Sequence, residues 1–154
     1  MRTKTLGRTG IEVSIVGLGC SALGIPDNES LHAQYRHCLP NEVHMVEDEG
    51  AEVVLAAFYE GARLFDTAPW YGAGTSERII ALAFRGEPKR RECIITTKVG
   101  HCYRGDDFDF SHDAVLRSVE ASQKRLEQDH FRIVYLHDPM GQDMKFVMSP
   151  QGAL

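Results

Sequence analysis

Short apolar runs alternate with helical segments along this chain, and that alternation limits the possible folds more than any other feature. Runs with β-strand character lie at residues 14–19, 63–66, 93–98 and 132–137. Neighbouring parallel strands need a crossover of about a dozen residues, which a helix supplies. Because helices then cover both faces, the strands of such a sheet are buried. The alternation therefore predicts an α/β fold with a parallel sheet.

The connecting helices can be located from the spacing of their apolar residues and from their end signals. The first helix is predicted over 47–60, with Gly61 in the position of a C-terminal stop. Ser76 is predicted to cap the second helix, which ends near Gly86, and Ser111 to cap the third. Short connections then join each strand to its helix.

Two segments fall outside the alternation. Residues 4–6 and 11–13 are short extended stretches joined by a glycine-containing turn, so they predict a small β-hairpin. Residues 27–46 contain Pro40 and lack a clear period, which predicts an insertion. At 154 residues the chain is expected to form one domain, 1–154.

Composition and charge narrow the function classes. The net charge is −5, so the basic surface that binds a phosphate backbone is absent and nucleic acid is not an expected partner. The sequence contains neither a secretory signal pattern nor a run of 18 apolar residues, and we expect a cytoplasmic protein without a membrane partner. The four cysteines form no CxxC pair and are predicted to be free thiols.

Polar side chains end three of the predicted strands. Asp66, Lys98 and His137 occupy the last positions of strands two, three and four, and Tyr71 lies in the loop after strand two. In α/β folds ligands bind at the carboxyl ends of the strands. Each residue alone is typical of an ordinary structural position, but the four together indicate a site at one edge of the sheet.

This set of residues suits proton transfer between a carbonyl and an alcohol. A tyrosine hydroxyl is a weak acid at neutral pH, but an ammonium about 4 Å away stabilises a phenolate by roughly 4 kcal/mol at an effective dielectric of 20. Asp66 would keep Lys98 charged and oriented, and the imidazole of His137 could hydrogen-bond a substrate oxygen.

Four motifs resemble the aldo-keto reductases. They are LGRTGIEVS at 6–14 with GLG at 17–19, FDTAPWYG at 65–72 with SE at 76–77, TTKVG at 96–100, and YLHDP at 135–139. The similarity extends to about Pro139, apart from the insertion. The stretch GDDFDFS at 105–111 resembles the branch of dehydrogenases that oxidise aldoses such as L-galactose or L-fucose.

The resemblance implies a (β/α)8 TIM barrel that transfers hydride between NADP or NAD and a small carbonyl compound or sugar. It implies the following roles: Tyr71 as general acid/base, Lys98 and Asp66 as its tuning pair, His137 as the group orienting the substrate oxygen, Gly19, Cys20 and Asp66 as cofactor-binding residues, and Trp70 and His101 as substrate-pocket residues.

The length departs from that family, because a (β/α)8 barrel takes about 250 residues. We therefore expect a barrel truncated to about its first four β/α units after an N-terminal hairpin, with a weak hold on the cofactor and poor activity alone. Its open sheet edges favour self-association. An alternative is a non-catalytic fragment or interaction module that retains the barrel sequence.

A metal site is not predicted. The residues considered as ligands are His32, His37, Cys38, His44, His101 and Cys102. Their types suit zinc, but their spacing matches no structural zinc pattern. We interpret the histidine-rich segment as a solvated insertion.

Overall fold

The computed structural model describes residues 1–24, 44–101 and 108–153, with the backbone alone for residues 44–46. Residues 27–43 of the predicted insertion lie outside the described residues, as do Cys38 and Cys102. Residues 44–46, the end of that segment, open the first helix.

The described elements follow the predicted order. The strands are β1 (Thr3–Thr5), β2 (Glu12–Ser14), β3 (Leu18–Gly19), β4 (Leu64–Asp66), β5 (Ile94–Val99) and β6 (Val134–Leu136). The helices are α1 (His44–Tyr59), α2 (Thr75–Ala83), α3 (His112–Leu126) and α4 (Met144–Val147), with 3-10 turns at Tyr71–Gly74 and Pro88–Glu92. Strands β3, β4, β5 and β6 form one parallel sheet in that order, which confirms the predicted α/β class.

The N-terminal hairpin closes the amino ends of the sheet strands. Strands β1 and β2 pair antiparallel with Thr3 opposite Ser14, so the predicted hairpin is present, and each strand lies one residue further from the turn than predicted. Ile11 and Val13 pack with Ile94, near the start of β5, and with Leu64, which opens β4. Asp66 ends β4 at the opposite side of the sheet, as the sequence predicts.

The prediction of a single first strand over residues 14–19 is wrong. Ser14 belongs to the hairpin, and only Leu18–Gly19 joins the parallel sheet. Ser14 Oγ donates to the carbonyl of Val16 at 2.7 Å and accepts from the amide of Arg63 at 2.8 Å, so the chain turns between the two strands. An uninterrupted apolar run gives no sign of such a turn.

The core lies between the sheet and helices α1 and α2. Phe58 from α1 and Phe65 from β4 each meet Phe84 edge to face, with ring centroids 5.4 and 5.3 Å apart. The end of α1 follows the prediction: Gly61 has φ of +96°, and its amide and that of Ala62 donate to Phe58 and Ala57. This pattern is a Schellman C-cap, which glycine accommodates without strain.

The predicted cap of the second helix is also wrong. Helix α2 begins at Thr75, with Gly74 at the N-cap position, and Ser76 lies inside the first turn. The buried Ser76 Oγ donates to the Cys20 carbonyl and shares a hydrogen bond with Thr67 Oγ1, both at 2.8 Å. The hydroxyl therefore joins three segments instead of capping the helix. Ser111 does occupy the N-cap position of α3, without a side-chain capping bond.

Among the described residues, none of the helices combines the length and the apolar character needed to span a membrane.

Candidate functional site

An ion pair between neighbouring strands forms the centre of the candidate site. Lys98 Nζ lies 2.7 Å from Asp66 Oδ2 and also donates to the Thr67 carbonyl at 3.0 Å. Thr96 Oγ1 donates to Asp66 Oδ1 at 2.7 Å. The β4–β5 register pairs Asp66 with Thr96, and Lys98 projects from the same face two residues later. Sheet register therefore fixes both oxygens of the carboxylate.

The surroundings of Lys98 keep it charged. Burial by itself lowers the pKa of this ammonium, but the hydrogen bonds to Asp66 and Tyr71 and the negative charge of Asp66 outweigh it, so the pKa lies above the ordinary value. Lys98 thus carries a fixed positive charge at neutral pH.

Tyr71 lies against that charge. Lys98 Nζ is 4.6 Å from the centroid of the Tyr71 ring. Tyr71 opens a turn in which Gly72, Ala73 and Gly74 all have positive φ, of +57°, +51° and +87°. The left-handed conformation costs an alanine about 1–2 kcal/mol, a strain that is typical of functional sites. The turn holds the phenol beside the ammonium.

His137 completes the predicted group of four. Its amide donates to the Val99 carbonyl at 2.9 Å, and its ring meets the Tyr71 ring edge-on at 5.5 Å between centroids. Burial first, and then the Lys98 charge and His101, lower the pKa of His137, so the imidazole is neutral at neutral pH. Its Nδ1 is buried and has no hydrogen-bond partner within the described ranges. The hydrogen-bonding capacity of this nitrogen is therefore unused among the described residues.

The predicted substrate-pocket residues form an aromatic wall beside the group. The His101 ring stacks on the Trp70 ring at 4.9 Å and on the Phe108 ring at 4.3 Å. His101 also lies 5.2 Å from the His137 ring. Trp70 and His101 are thus brought next to Tyr71 and His137, while Phe108 extends the wall and was not predicted from the sequence.

The two residues predicted at the first β/α loop lie in different environments. Gly19 is exposed opposite Asp66 in the β3–β4 register, and a Cβ added there would meet no atom within 4 Å. Cys20 is fully buried, its amide donates to the Asp66 carbonyl, and its carbonyl accepts from Ser76. The thiol of Cys20 therefore belongs to the core, and only Gly19 presents open space beside the ion pair.

The burial of Cys20 predicts slow alkylation. Burial is the main cause that raises the pKa of this thiol to about 12. With a pKa of about 12 instead of 9.0, the thiolate population at neutral pH is about a thousandfold smaller. The higher nucleophilicity of a more basic thiolate raises its rate constant by about twentyfold, so the net reaction rate falls by about fiftyfold. We expect iodoacetamide to modify native Cys20 at least about fiftyfold more slowly than the unfolded chain. Peptide mass spectrometry measures this, and equal rates in both states would contradict the buried position.

Several residues that hold the site together were not predicted from the sequence. Thr96 and Thr67 fix the ion pair through the hydrogen bonds described above. The sequence signal for Thr96 was its position two residues before Lys98, on the same face of the strand. The fully buried Glu77 accepts from Thr97 Oγ1 at 2.7 Å and from Arg125 Nε at 2.5 Å. That bridge ties α2 to β5 and α3, and residues so far apart in sequence offer no local pattern.

A protein-family model and several curated proteins match this chain. The family model described as "Aldo/keto reductase family" matches residues 38–146. L-galactose dehydrogenase from Arabidopsis thaliana is 34% identical over 136 residues, which cover 88% of this chain and 37% of that protein. Pyridoxal 4-dehydrogenase from Microbacterium luteolum is 30% identical over 163 residues, covering 88% and 42%. The chain thus spans less than half the length of these curated relatives.

Solved structures show the same similarity. The holo form of an aldo-keto reductase from Bacillus halodurans superposes with a TM-score of 0.71 at 26% identity, covering 89% of this chain and 40% of that chain. An aldo-keto reductase from Klebsiella pneumoniae in complex with NADPH gives a TM-score of 0.61 at 25% identity, with the same coverage.

Proposed function

Because the chain belongs to the aldo/keto reductase family, we propose that it carries the proton-transfer group of an NAD(P)-dependent oxidoreductase. The family and the α/β TIM-barrel type of fold are those that the sequence motifs predict. The proposed reaction interconverts a carbonyl and an alcohol on an aldehyde, a ketone or a sugar.

The observation that carries this proposal is the contact of the Asp66–Lys98 pair with the Tyr71 ring. In the reducing direction Tyr71 donates its hydroxyl proton to the carbonyl oxygen while hydride reaches the carbonyl carbon. The Lys98 ammonium stabilises the phenolate that remains, and Asp66 keeps that ammonium in place. In the oxidising direction the phenolate takes the proton back from the alcohol.

His137 contributes orientation. The neutral imidazole sits edge-on to Tyr71, so it can hydrogen-bond the same substrate oxygen and hold it at the phenol. Trp70 and His101 would form a wall of the substrate pocket, in which a flat apolar face suits the C–H face of a sugar.

The residues present fit a nicotinamide group. The open space at Gly19, directly beside the Asp66–Lys98 pair, would allow a flat ring to approach the backbone, with Asp66 and the backbone of Cys20 nearby. When bound, NADP or NAD supplies or accepts the hydride. The relative with NADPH in its crystals supports NADP as the first cofactor to test.

The relatives support an aldose as the substrate class. Two of these relatives are named as dehydrogenases of aldoses. They are L-galactose dehydrogenase and D-threo-aldose 1-dehydrogenase from a Pseudomonas species, the latter 30% identical over 125 residues. We propose oxidation of an aldose at its anomeric carbon. A single domain 1–154 with an insertion at 27–46, and a cytoplasmic location, stay predictions from the sequence.

A non-catalytic interaction module is the second candidate. Val134 and Tyr135 are exposed on β6, at one edge of the described sheet, and Met140 just beyond it is 86% exposed. Open edges of this kind pair with other strands, so this edge would be the interaction surface of the module, and self-association is expected of either candidate. A cofactor measurement distinguishes it from an oxidoreductase.

The experiment is a cofactor titration combined with an activity assay. Trp70 is the only tryptophan of the chain and lies in the candidate site, so its fluorescence reports binding there. We expect NADPH or NADH to quench this fluorescence saturably but with weak affinity, and the oxidised cofactor to be reduced slowly when an aldose is added, because the chain spans less than half the length of its relatives. Lys98→Met should lose turnover, whereas Lys89→Met, which changes an exposed lysine in the Pro88–Glu92 turn, should not. A folded sample that neither cofactor quenches would contradict the proposal and favour the module.

A further inference from the structure

Three possible metal ligands converge at the carboxyl ends of β5 and β6. His101 follows β5, and His137 and Asp138 follow β6, the next strand in the sheet. One nitrogen from each imidazole and one carboxylate oxygen lie within 4.8 Å of one another. The sequence gives no sign of this group of ligands, because His137 and Asp138 are distant from His101 along the chain and become its neighbours only through strand pairing.

The donor set is one that divalent transition metals prefer. Two imidazoles and a carboxylate bind zinc with metal–ligand distances of about 2.0–2.2 Å and leave a fourth tetrahedral position open. Ligand atoms around such an ion are about 3.3 Å apart, so the present spacing requires a moderate closure. Asp138 is exposed, and a change of its side-chain rotamer could supply this closure.

A second observation at the same place points to a ligand. His137 is only 7% exposed, yet its buried Nδ1 lacks a hydrogen-bond partner among the described residues. A buried polar atom left unsatisfied costs about 1–3 kcal/mol, so a bound group at this nitrogen would remove a penalty. The metal would therefore bind where the fold already lacks a partner.

The surrounding charges permit a cation. Lys98 is a cation whose charge acts on His137, and its ammonium is paired with Asp66 Oδ2 at 2.7 Å. Among the described residues, Tyr71 and the proposed ligand His101 are the titratable groups whose rings contact His137, at 5.5 and 5.2 Å between centroids. With Asp138 added, the formal charge of the ionised side chains around the site sums to −1, which attracts a divalent ion.

We propose that His101, His137 and Asp138 form a binding site for a divalent transition metal such as zinc. An ion bound to the imidazole of His137 would block the substrate site. This second consequence rests on the proposed function, because it assigns His137 to the substrate oxygen; the binding of the metal does not depend on it.

The test is calorimetric titration of the full chain with zinc sulfate. Asp138→Asn changes an exposed side chain and His101→Ala removes an imidazole, and each is expected to weaken zinc binding at least tenfold. His112→Ala is the matched control, because His112 is also a histidine followed by an aspartate, with Nδ1 3.4 Å from Asp113 Oδ1 on the surface. Zinc affinity in this control should equal that of the wild type. Absence of zinc binding, or wild-type affinity in both site variants, would overturn the proposal.

Cobalt and inhibition measurements separate the two consequences. Co²⁺ in place of zinc should give the visible absorption of a tetrahedral site in the wild type and His112→Ala, and this band should disappear in His101→Ala. Zinc should inhibit aldose oxidation by the wild type, and Asp138→Asn should need at least tenfold more zinc for the same inhibition. Zinc binding in a chain without oxidoreductase activity would contradict the proposed function and leave the metal site supported.

Discussion

Replacing Tyr71 by phenylalanine is expected to lower the rate of carbonyl reduction by a factor of about 10² to 10⁴, the usual contribution of a positioned general acid. The substitution removes one oxygen and keeps the ring that contacts Lys98 and His137. Cofactor affinity should therefore stay close to that of the wild type, since only the proton donor is lost. Steady-state reduction of a simple aldehyde measures kcat and KM, and Trp70 fluorescence measures cofactor binding.

Tyr59→Phe provides the matched control for that substitution. Tyr59 lies at the end of α1, is 71% exposed and donates to Glu87 Oε2 at 3.2 Å, away from the candidate site. Its loss should leave turnover unchanged. Turnover by Tyr71→Phe at the wild-type rate would refute the assignment of the proton donor. A parallel loss of cofactor binding would instead show that the ring had moved.

Arg125→Met is expected to destabilise the fold by about 3–5 kcal/mol, the cost of leaving a buried charge without its partner. Glu77 is fully buried, and its carboxylate oxygens accept from Thr97 and Arg125. Without the guanidinium, the buried charge of Glu77 keeps only the hydrogen bond from the Thr97 hydroxyl among its described side-chain partners. Urea unfolding followed by circular dichroism gives the free energy of unfolding, and an unchanged m-value would show that the variant unfolds from a similar folded state.

Arg85→Met serves as the control for an arginine on the surface. Arg85 Nη2 lies 2.7 Å from Glu127 Oε1, but both side chains are largely exposed, so solvent screens the pair and its loss should cost less than about 1 kcal/mol. Adding Glu77→Gln to Arg125→Met should recover part of the lost stability, because the buried charge is then gone. Similar losses in Arg125→Met and Arg85→Met would show that the buried pair contributes no more than a surface pair.

The residues that end strands were the most predictable part of the candidate site. Asp66 ends β4 as predicted, Lys98 lies one residue before the end of β5 instead of at its last position, and parallel pairing brings both to one edge. His137 was predictable for the same reason, one strand further along. Strand order therefore predicts that the three side chains share one edge of the sheet.

Features that depend on tertiary contacts were not predictable. The turn at Ser14 depends on the amide of Arg63, a partner 49 residues away, so the run 14–19 looked like one strand. Ser76 has the residue type of a helix cap, but burial against Thr67 and Cys20 gives its hydroxyl other partners. Local propensity identifies which residues can hydrogen-bond, and only the folded chain determines with what.

The hairpin closes one end of the sheet and the candidate site occupies the other. Residues that stabilise the fold are therefore separate from residues that determine substrate specificity. Protein engineers can use that separation. Libraries at Trp70 and His101 would sample new specificities without touching the packing of Ile11 and Val13 on Ile94. Any stability lost in such a library could be restored by substitutions at the hairpin end, far from the reacting atoms.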